Sequence, residues 1–242
     1  MGAFLASAAL LFLLGDAPAA PTAAAASPAS GTATAVASGV VAFPGIKIFA
    51  KERRIECDAA FDLVDGAATL EYLAVAPNGK LHESLRELRC APEKLPFGLI
   101  LLGLDPKPEV EYQGEGRPLS GPRVAIEAAW TDPKTGEERR SRVEDLLEDA
   151  RFDRPMERCG FAFTGSRFLA RGAPSAPAGT HGPPPPAPAG APKPAKPAPR
   201  EVFAALASGS VIALYHDPDA VLDNPLISGG DVALLAPTFG LV

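Results

Sequence analysis

Along much of this chain apolar and polar positions alternate with a period of two. Ile55, Cys57, Ala59, Phe61 and Leu63 alternate with Glu56, Asp58, Ala60 and Asp62. That is the pattern of a strand with one face in a core and the other toward water, and it puts Cys57 on the core side. Val124, Ile126, Ala128 and Trp130 repeat it. After them, Asp132-Pro133-Lys134-Thr135-Gly136 predicts a hairpin loop. The charged stretch 137–143 then predicts a return strand at an exposed edge, guarded by Arg139, Arg140 and Arg142. Shorter runs predict strands around Ile46 and Ile48, over 70–75, around Phe161 and Phe163, and over 202–206, 211–215 and 231–235. The 211–215 run is apolar on both faces, as a central strand is. Pro77-Asn78-Gly79 closes the 70–75 strand with a hairpin-type turn signal.

One short helix interrupts the strands. Pro92 suits a first turn, residues 95–102 are apolar almost throughout, and Gly103 suits the end. Pro96 and Gly98 shorten or bend it. A further helical turn is expected over 143–149. The sum is a β-rich α+β fold, mainly antiparallel sheets with one short buried helix.

Three segments fall outside this patterning. Residues 3–14 are an apolar run of about a dozen residues, matching a signal-peptide core and short of a bilayer span. Ala17-Pro18-Ala19 offers a cleavage site, so residues 1–19 read as an export signal, although no Lys or Arg precedes the run. Residues 20–41 are mostly Ala, Ser, Thr, Pro and Gly and read as a disordered spacer. Residues 173–199 are Pro-rich and read as an extended polyproline II segment. The piece after that segment is too short for a core of its own. The folded part is therefore expected to be one discontinuous domain, 42–172 plus 200–242, with 173–199 as a surface insertion that could serve a protein partner. His181, Lys193 and Lys196 lie in the insertion. The predicted location is periplasmic or extracellular, with no transmembrane span in the mature chain.

Composition narrows the function classes. The net charge is −6 and the pI about 5.2, which makes nucleic acid and anionic membranes poor partners. Cys57, Cys90 and Cys159 match no zinc or iron–sulfur spacing. In an oxidising compartment one disulfide could form among them; alternatively all three are small buried hydrophobes.

Candidate chemistry gathers in three places. His82, Glu83 and Ser84 follow the Pro77-Asn78-Gly79 turn. His216 and Asp217 stand where a strand meets a loop, followed by Asp219, Asp223 and Asn224. If the two segments meet, His82, His216 and a carboxylate could hold a divalent metal such as zinc, with an open position for water and hydrolysis. The acidic loop also offers calcium ligands, but it lacks the EF-hand Gly and Glu, and Asp-Pro and Asn-Pro are turn formers in their own right. A Ser-His-Asp triad can be assembled on paper, without a G-x-S-x-G elbow to support it. Ser166 and Arg167, in Thr164-Gly165-Ser166-Arg167, could form an anion-binding turn, or a strand bulge with a surface ion pair.

The segments PNGKLHESL at 77–85, LLGL at 101–104, FTGSR at 163–167 and SVIALYHDPDAVLDNP at 210–225 resemble the YdjY family of bacterial exported proteins. The resemblance covers roughly residues 51–231, interrupted by the Pro-rich segment. It implies an exported protein but transfers no catalytic residue. A ferredoxin-like role suggested for one member needs four thiolates in set spacings, and three scattered cysteines do not supply them. The leading expectation is a non-enzymatic extracytoplasmic binding or accessory module. The second is a metal-binding protein or metal-dependent hydrolase using His82, His216 and nearby carboxylates.

Overall fold

A computed structural model describes residues 7–14, 34–37, 39–61, 69–132, 135–149, 152–170, 201–226 and 234–235. The Pro-rich segment, most of the 20–41 spacer and residues 231–233 lie outside these. The first half holds β1 (Ser7–Leu14), β2 (Thr34–Ala37), β3 (Val40–Phe43), β4 (Ile46–Phe49) and β5 (Arg54–Phe61). Then come β6 (Thr69–Leu70), β7 (Tyr72–Val75), β8 (Ser84–Leu88) and α1 (Lys94–Leu101). The middle of the chain gives β9 (Arg123–Thr131), β10 (Glu138–Arg142), β11 (Glu148–Asp149), β12 (Arg154–Pro155), β13 (Phe161–Phe163) and β14 (Phe168–Ala170). The last part gives β15 (Glu201–Phe203), α2 (Ala204–Ser208), β16 (Ser210–Ala213), β17 (Leu222–Asp223) and β18 (Leu234–Leu235).

Eight strands close into a barrel in the order β1-β9-β13-β17-β16-β7-β8-β5, with β5 returning to β1. The strands with clean alternation form its long staves. Ile55, Cys57 and Ala59 of β5 and Val124, Ile126 and Ala128 of β9 are buried in one common core. Both staves outrun their barrel partners, so β4 with β3 and β2 flares from β5, and β10 flares from β9. The β9–β10 hairpin and its arginine-bearing edge are as the pattern predicts.

The apolar run at the start of the chain is built into the wall. β1 lies antiparallel to both β5 and β9, pairing Leu10 with Cys57 and Ala128, and Phe12 with Ile55 and Ile126. Leu10, Leu11 and Phe12 are all buried. An uncharged strand suits this place because both its edges are paired and neither face needs water. Thr34–Ala37, inside the expected spacer, also forms a strand, paired with β3.

The expected fold class needs correcting: this is a mixed barrel, not a set of mainly antiparallel sheets. β7 runs parallel to β8 and β16 parallel to β17. The turn at Pro77-Asn78-Gly79 starts no hairpin. It leads through a 3₁₀ turn at Leu81–Glu83 and lays β8 beside β7 in the same direction, Tyr72 opposite Ser84. Residues 214–221 make the matching crossover from β16 to β17. Because β16 also pairs with β7, the two crossovers belong to neighbouring strands.

The helices differ from expectation too. α1 is only half buried: Leu95, Pro96, Gly98 and Leu99 are buried, while Phe97, Ile100 and Leu101 are 45–52% exposed. Its seat is close. A methyl on Gly98 would stand 2.8 Å from Cδ1 of Ile55 and 3.1 Å from Cδ1 of Ile48. The 202–206 run is strand only as far as Phe203 and then becomes α2, which ends at Gly209 with φ +77. A side chain there would lie 2.5 Å from the backbone of Gly79, so glycine is needed at this crossing. The turn expected over 143–149 is a 3₁₀ turn at Val143–Leu146. Among the described residues no helix is long and apolar enough to cross a membrane.

Candidate functional site

The acidic loop after β16 is buried almost throughout. His216 and Asn224 are at most 1% exposed, and Asp217 and Asp219 are each 6% exposed. Asp217-Pro218-Asp219-Ala220 forms a turn in which the Ala220 N–H donates to the Asp217 carbonyl at 3.0 Å. Oδ1 of Asp217 accepts the Asp219 N–H at 2.9 Å, the local side-chain bond that Asp makes at such turns. Its Oδ2 accepts the Tyr72 hydroxyl at 2.8 Å.

Asp223 ties the loop shut. Its Oδ1 accepts the Asp217 N–H at 2.7 Å, and its Oδ2 lies 2.6 Å from Oγ1 of Thr164. Burial pushes the Asp223 carboxyl well above its usual range, against the downward pull of Thr164 and the Asp217 N–H. The Asp217 carboxyl is pushed up as well, first by burial and then by the charge of Asp219. The Thr164 hydroxyl donates to Oδ2 of Asp223 and also stands 3.3 Å from the Val221 carbonyl.

The Thr164-Gly165-Ser166-Arg167 turn packs against this loop and is filled by it. Nε of Arg167 donates to Oδ1 of Asp219 at 2.6 Å. The Ser166 hydroxyl donates to the Asp219 carbonyl at 2.7 Å and accepts the Ala205 N–H at 3.1 Å. The N–H groups of Gly165 and Arg167 go to the carbonyls of Val221 and Pro218. The donors expected to hold an anion thus hold the chain's own carboxylate and carbonyls.

His82 and His216 occupy opposite environments. The His82 side chain is 77% exposed on the 3₁₀ turn, 3.4 Å from the Glu83 carboxylate. The His216 ring is enclosed, and neither nitrogen makes a hydrogen bond of normal geometry among the described residues. Burial lowers its pKa, while the backbone of Glu115 and Asn224 and the Glu115 carboxylate pull it upward. Among the described residues no group of three or more His, Cys, Asp or Glu is placed to hold a metal ion. Ser84 is fully buried and bonds the backbone of Arg86.

Glu83 belongs to a surface ion cluster instead. Lys80 reaches Glu71 at 2.7 Å and Glu83 at 3.0 Å. Burial and the neighbouring Glu71 carboxylate raise the Tyr215 hydroxyl. Gln113 bridges the Tyr215 and Tyr72 hydroxyls, and Tyr72 completes the path to Asp217. The Gly114 N–H donates to the His216 carbonyl at 2.8 Å, fastening this loop over the acids. Sequence reasoning missed Glu71, Tyr72, Lys80 and Gln113, and no local pattern marks any of them. Asn224 ends the loop against a cleft of about 240 Å³ lined by Phe152, Met156 and Leu226 beside Asp149, Arg154 and Glu157.

An exposed apolar face lies elsewhere. Phe97, Ile100 and Leu101 recur at helical spacing on the outer side of α1. Phe43 meets the Phe97 ring edge-on at 5.8 Å, and the Lys94 ammonium stands 5.0 Å over the Phe43 ring. The result is an apolar patch edged by the ion pair of Lys94 and Glu93, 3.7 Å apart. No family model, curated protein or solved structure matches this chain.

Proposed function

We propose that this chain is a YdjY-like exported protein and a non-enzymatic binding module, which docks a protein partner through the outer face of α1. The observation that carries the reading is the solvent-facing stripe of Phe97, Ile100 and Leu101. Large apolar side chains grouped on a helix face are a common mark of contact surfaces. At the rim Lys94 stands 3.7 Å from the Glu93 carboxylate, so the apolar stripe rather than net charge carries the reading. The acidic loop supports the same reading from the other side. The oxygens of Asp217 and Asp223 accept internal donors, and Asp219 is paired with Arg167, so the loop works as a brace for the barrel. Two of the segments that carry the YdjY resemblance, 163–167 and 210–225, meet at that brace, which favours a shared architecture over a shared reaction.

The test is photo-crosslinking of the full chain in its exporting host. A photoreactive residue replaces Ile100 on the patch or Glu138 on the exposed β10 edge. The expected result is a discrete adduct from position 100 alone, at least tenfold weaker when Leu101→Asp is added. Equal adducts from both positions, or none from either, would remove α1 as the docking face.

A further inference from the structure

We infer that Cys57 and Cys90 become joined by a disulfide when the chain folds in the presence of a disulfide oxidant. Cys57 projects into the core from β5, between Leu10 of β1 and Ile46 of β4. Cys90 comes just after β8, where the ladder to β5 ends with the Arg89 N–H on the Asp58 carbonyl at 2.8 Å. That last bond returns the chain to the level of Cys57. The two sulfurs are 3.8 Å apart, and both residues are buried at 4% exposure or less.

A disulfide needs its sulfurs at about 2.05 Å. Rotation of the two side chains toward one another shortens the present gap without drawing in any third group. Metal ligation is not a competing use, because no cluster of three ligands exists among the described residues. Cys159 stands apart, its sulfur 3.9 Å from Oδ1 of Asn224 and half-buried.

The chemistry is a thiol–disulfide exchange. One cysteine thiolate attacks an oxidant disulfide and releases one thiol, leaving a mixed disulfide. The second cysteine then attacks the protein sulfur of that bond and releases the other thiol. Two protons and two electrons leave the cysteines, and the oxidant is reduced to two thiols. Timing follows from burial, which pushes the Cys57 thiol well above its usual range and suppresses the reactive thiolate in the closed core. Exchange therefore precedes closure, and the finished bond is shielded from reductant. The bridge would span 33 positions and tie the middle of β5 to the segment that launches α1. It depends neither on the docking role of α1 nor on where the chain works, since the test supplies its own oxidant.

Full chain is unfolded with reductant, refolded by dilution into mixed reduced and oxidised glutathione, then denatured in excess maleimide and weighed. The expected count is one maleimide per chain before reduction and three after it, with a peptide map joining 57 to 90. Cys159→Ser should lower both counts by one and keep the bridge. Three maleimides before reduction, glutathione adducts on Cys57 or Cys90, or a bridge through Cys159 would overturn the inference. The wild-type and Cys159→Ser counts decide it without any substitution at Cys57 or Cys90.

Discussion

The backbone N–H of Asp217 donates to Oδ1 of Asp223 at 2.7 Å, so one side chain of β17 holds the middle of the crossover between β16 and β17. β16 and β17 are parallel, and no hairpin turn can connect parallel neighbours. The chain must leave the sheet, turn and re-enter within residues 214–221. Every polar group buried on that path needs a partner. Asp217 and Asp223 accept the N–H groups of Asp219 and Asp217, and Asp219 pairs with Arg167, which is a physical reason for acids at these spacings.

Asp223→Ala should therefore destabilise the protein by about 1–3 kcal/mol, because it strands the Asp217 N–H in a dry site, while the Thr164 hydroxyl keeps the Val221 carbonyl within reach. Asp223→Asn keeps an acceptor of the same shape and should cost well under half as much. Urea unfolding of the pair separates the two. Equal losses would mean that the negative charge, not the hydrogen bonds, holds the loop.

The buried acids and His216 have opposite signs in pH. Asp217 and Asp223 have folded pKa values above the ordinary 3.8. The folded state keeps protons that the unfolded state releases, so their contribution is full below about pH 3.8 and is lost as pH rises through the folded values. His216 is lowered from 6.5. Its contribution is full above about pH 6.5 and is lost as pH falls through the folded value. Urea midpoints followed from about pH 4 to 8 should lose the acid-side fall in His216→Gln and flatten on the alkaline side in Asp223→Asn. Unchanged slopes in both variants would mean that neither group titrates differently on folding. Asp145 and Glu109, lowered chiefly by their hydrogen bonds to Arg158 and Ser120, oppose the acids, but they sit near the surface where water screens them.

The local pattern was legible wherever one face meets the core. β5 and β9 stand where Ile55–Ala59 and Val124–Ala128 alternate. Topology was not, because β7 and β16 are buried on both faces and their residues read alike in parallel or antiparallel pairing. The strand β1 was not legible for the same reason: a strand paired on both edges with no wet face is as uniformly apolar as an export signal. At the site, the Asp-Pro turn and the role of Asp217 as a local acceptor follow from sequence. The partner Tyr72 lies 145 positions away, and nothing near Asp217 announces it.

Gly209 tests the contact between the end of α2 and the crossover from β7 to β8. It combines φ +77 with an approach that would put a side chain 2.5 Å from Gly79. Gly103 has a similar φ of +87 with nothing within 4 Å. Gly103→Ala should thus cost about 1 kcal/mol, the backbone penalty alone. Gly209→Ala should cost about 2–4 kcal/mol, since the clash adds to it. Thermal unfolding of both variants suffices. Similar losses would show that the Gly79 contact yields easily.

Residues 7–14 carry two readings that make opposite demands. As an export signal they are discarded after Ala19; as β1 they close the barrel. β5 and β9 are both antiparallel to β1, so its removal leaves two unpaired edges and takes Leu10 and Phe12 from the core. Burying two such side chains stabilises a fold by about 3–6 kcal/mol, and open strand edges invite self-association. A chain beginning at Ala20 should then melt well below the full chain and run as oligomers in size-exclusion chromatography. The N-terminus of the protein recovered from its host supplies the second half of the test. If that protein begins at Ala20, is monomeric and melts as high as the full chain, β5 and β9 close on each other and β1 is dispensable. If it retains residues 7–14, the apolar run is a stave of the mature barrel.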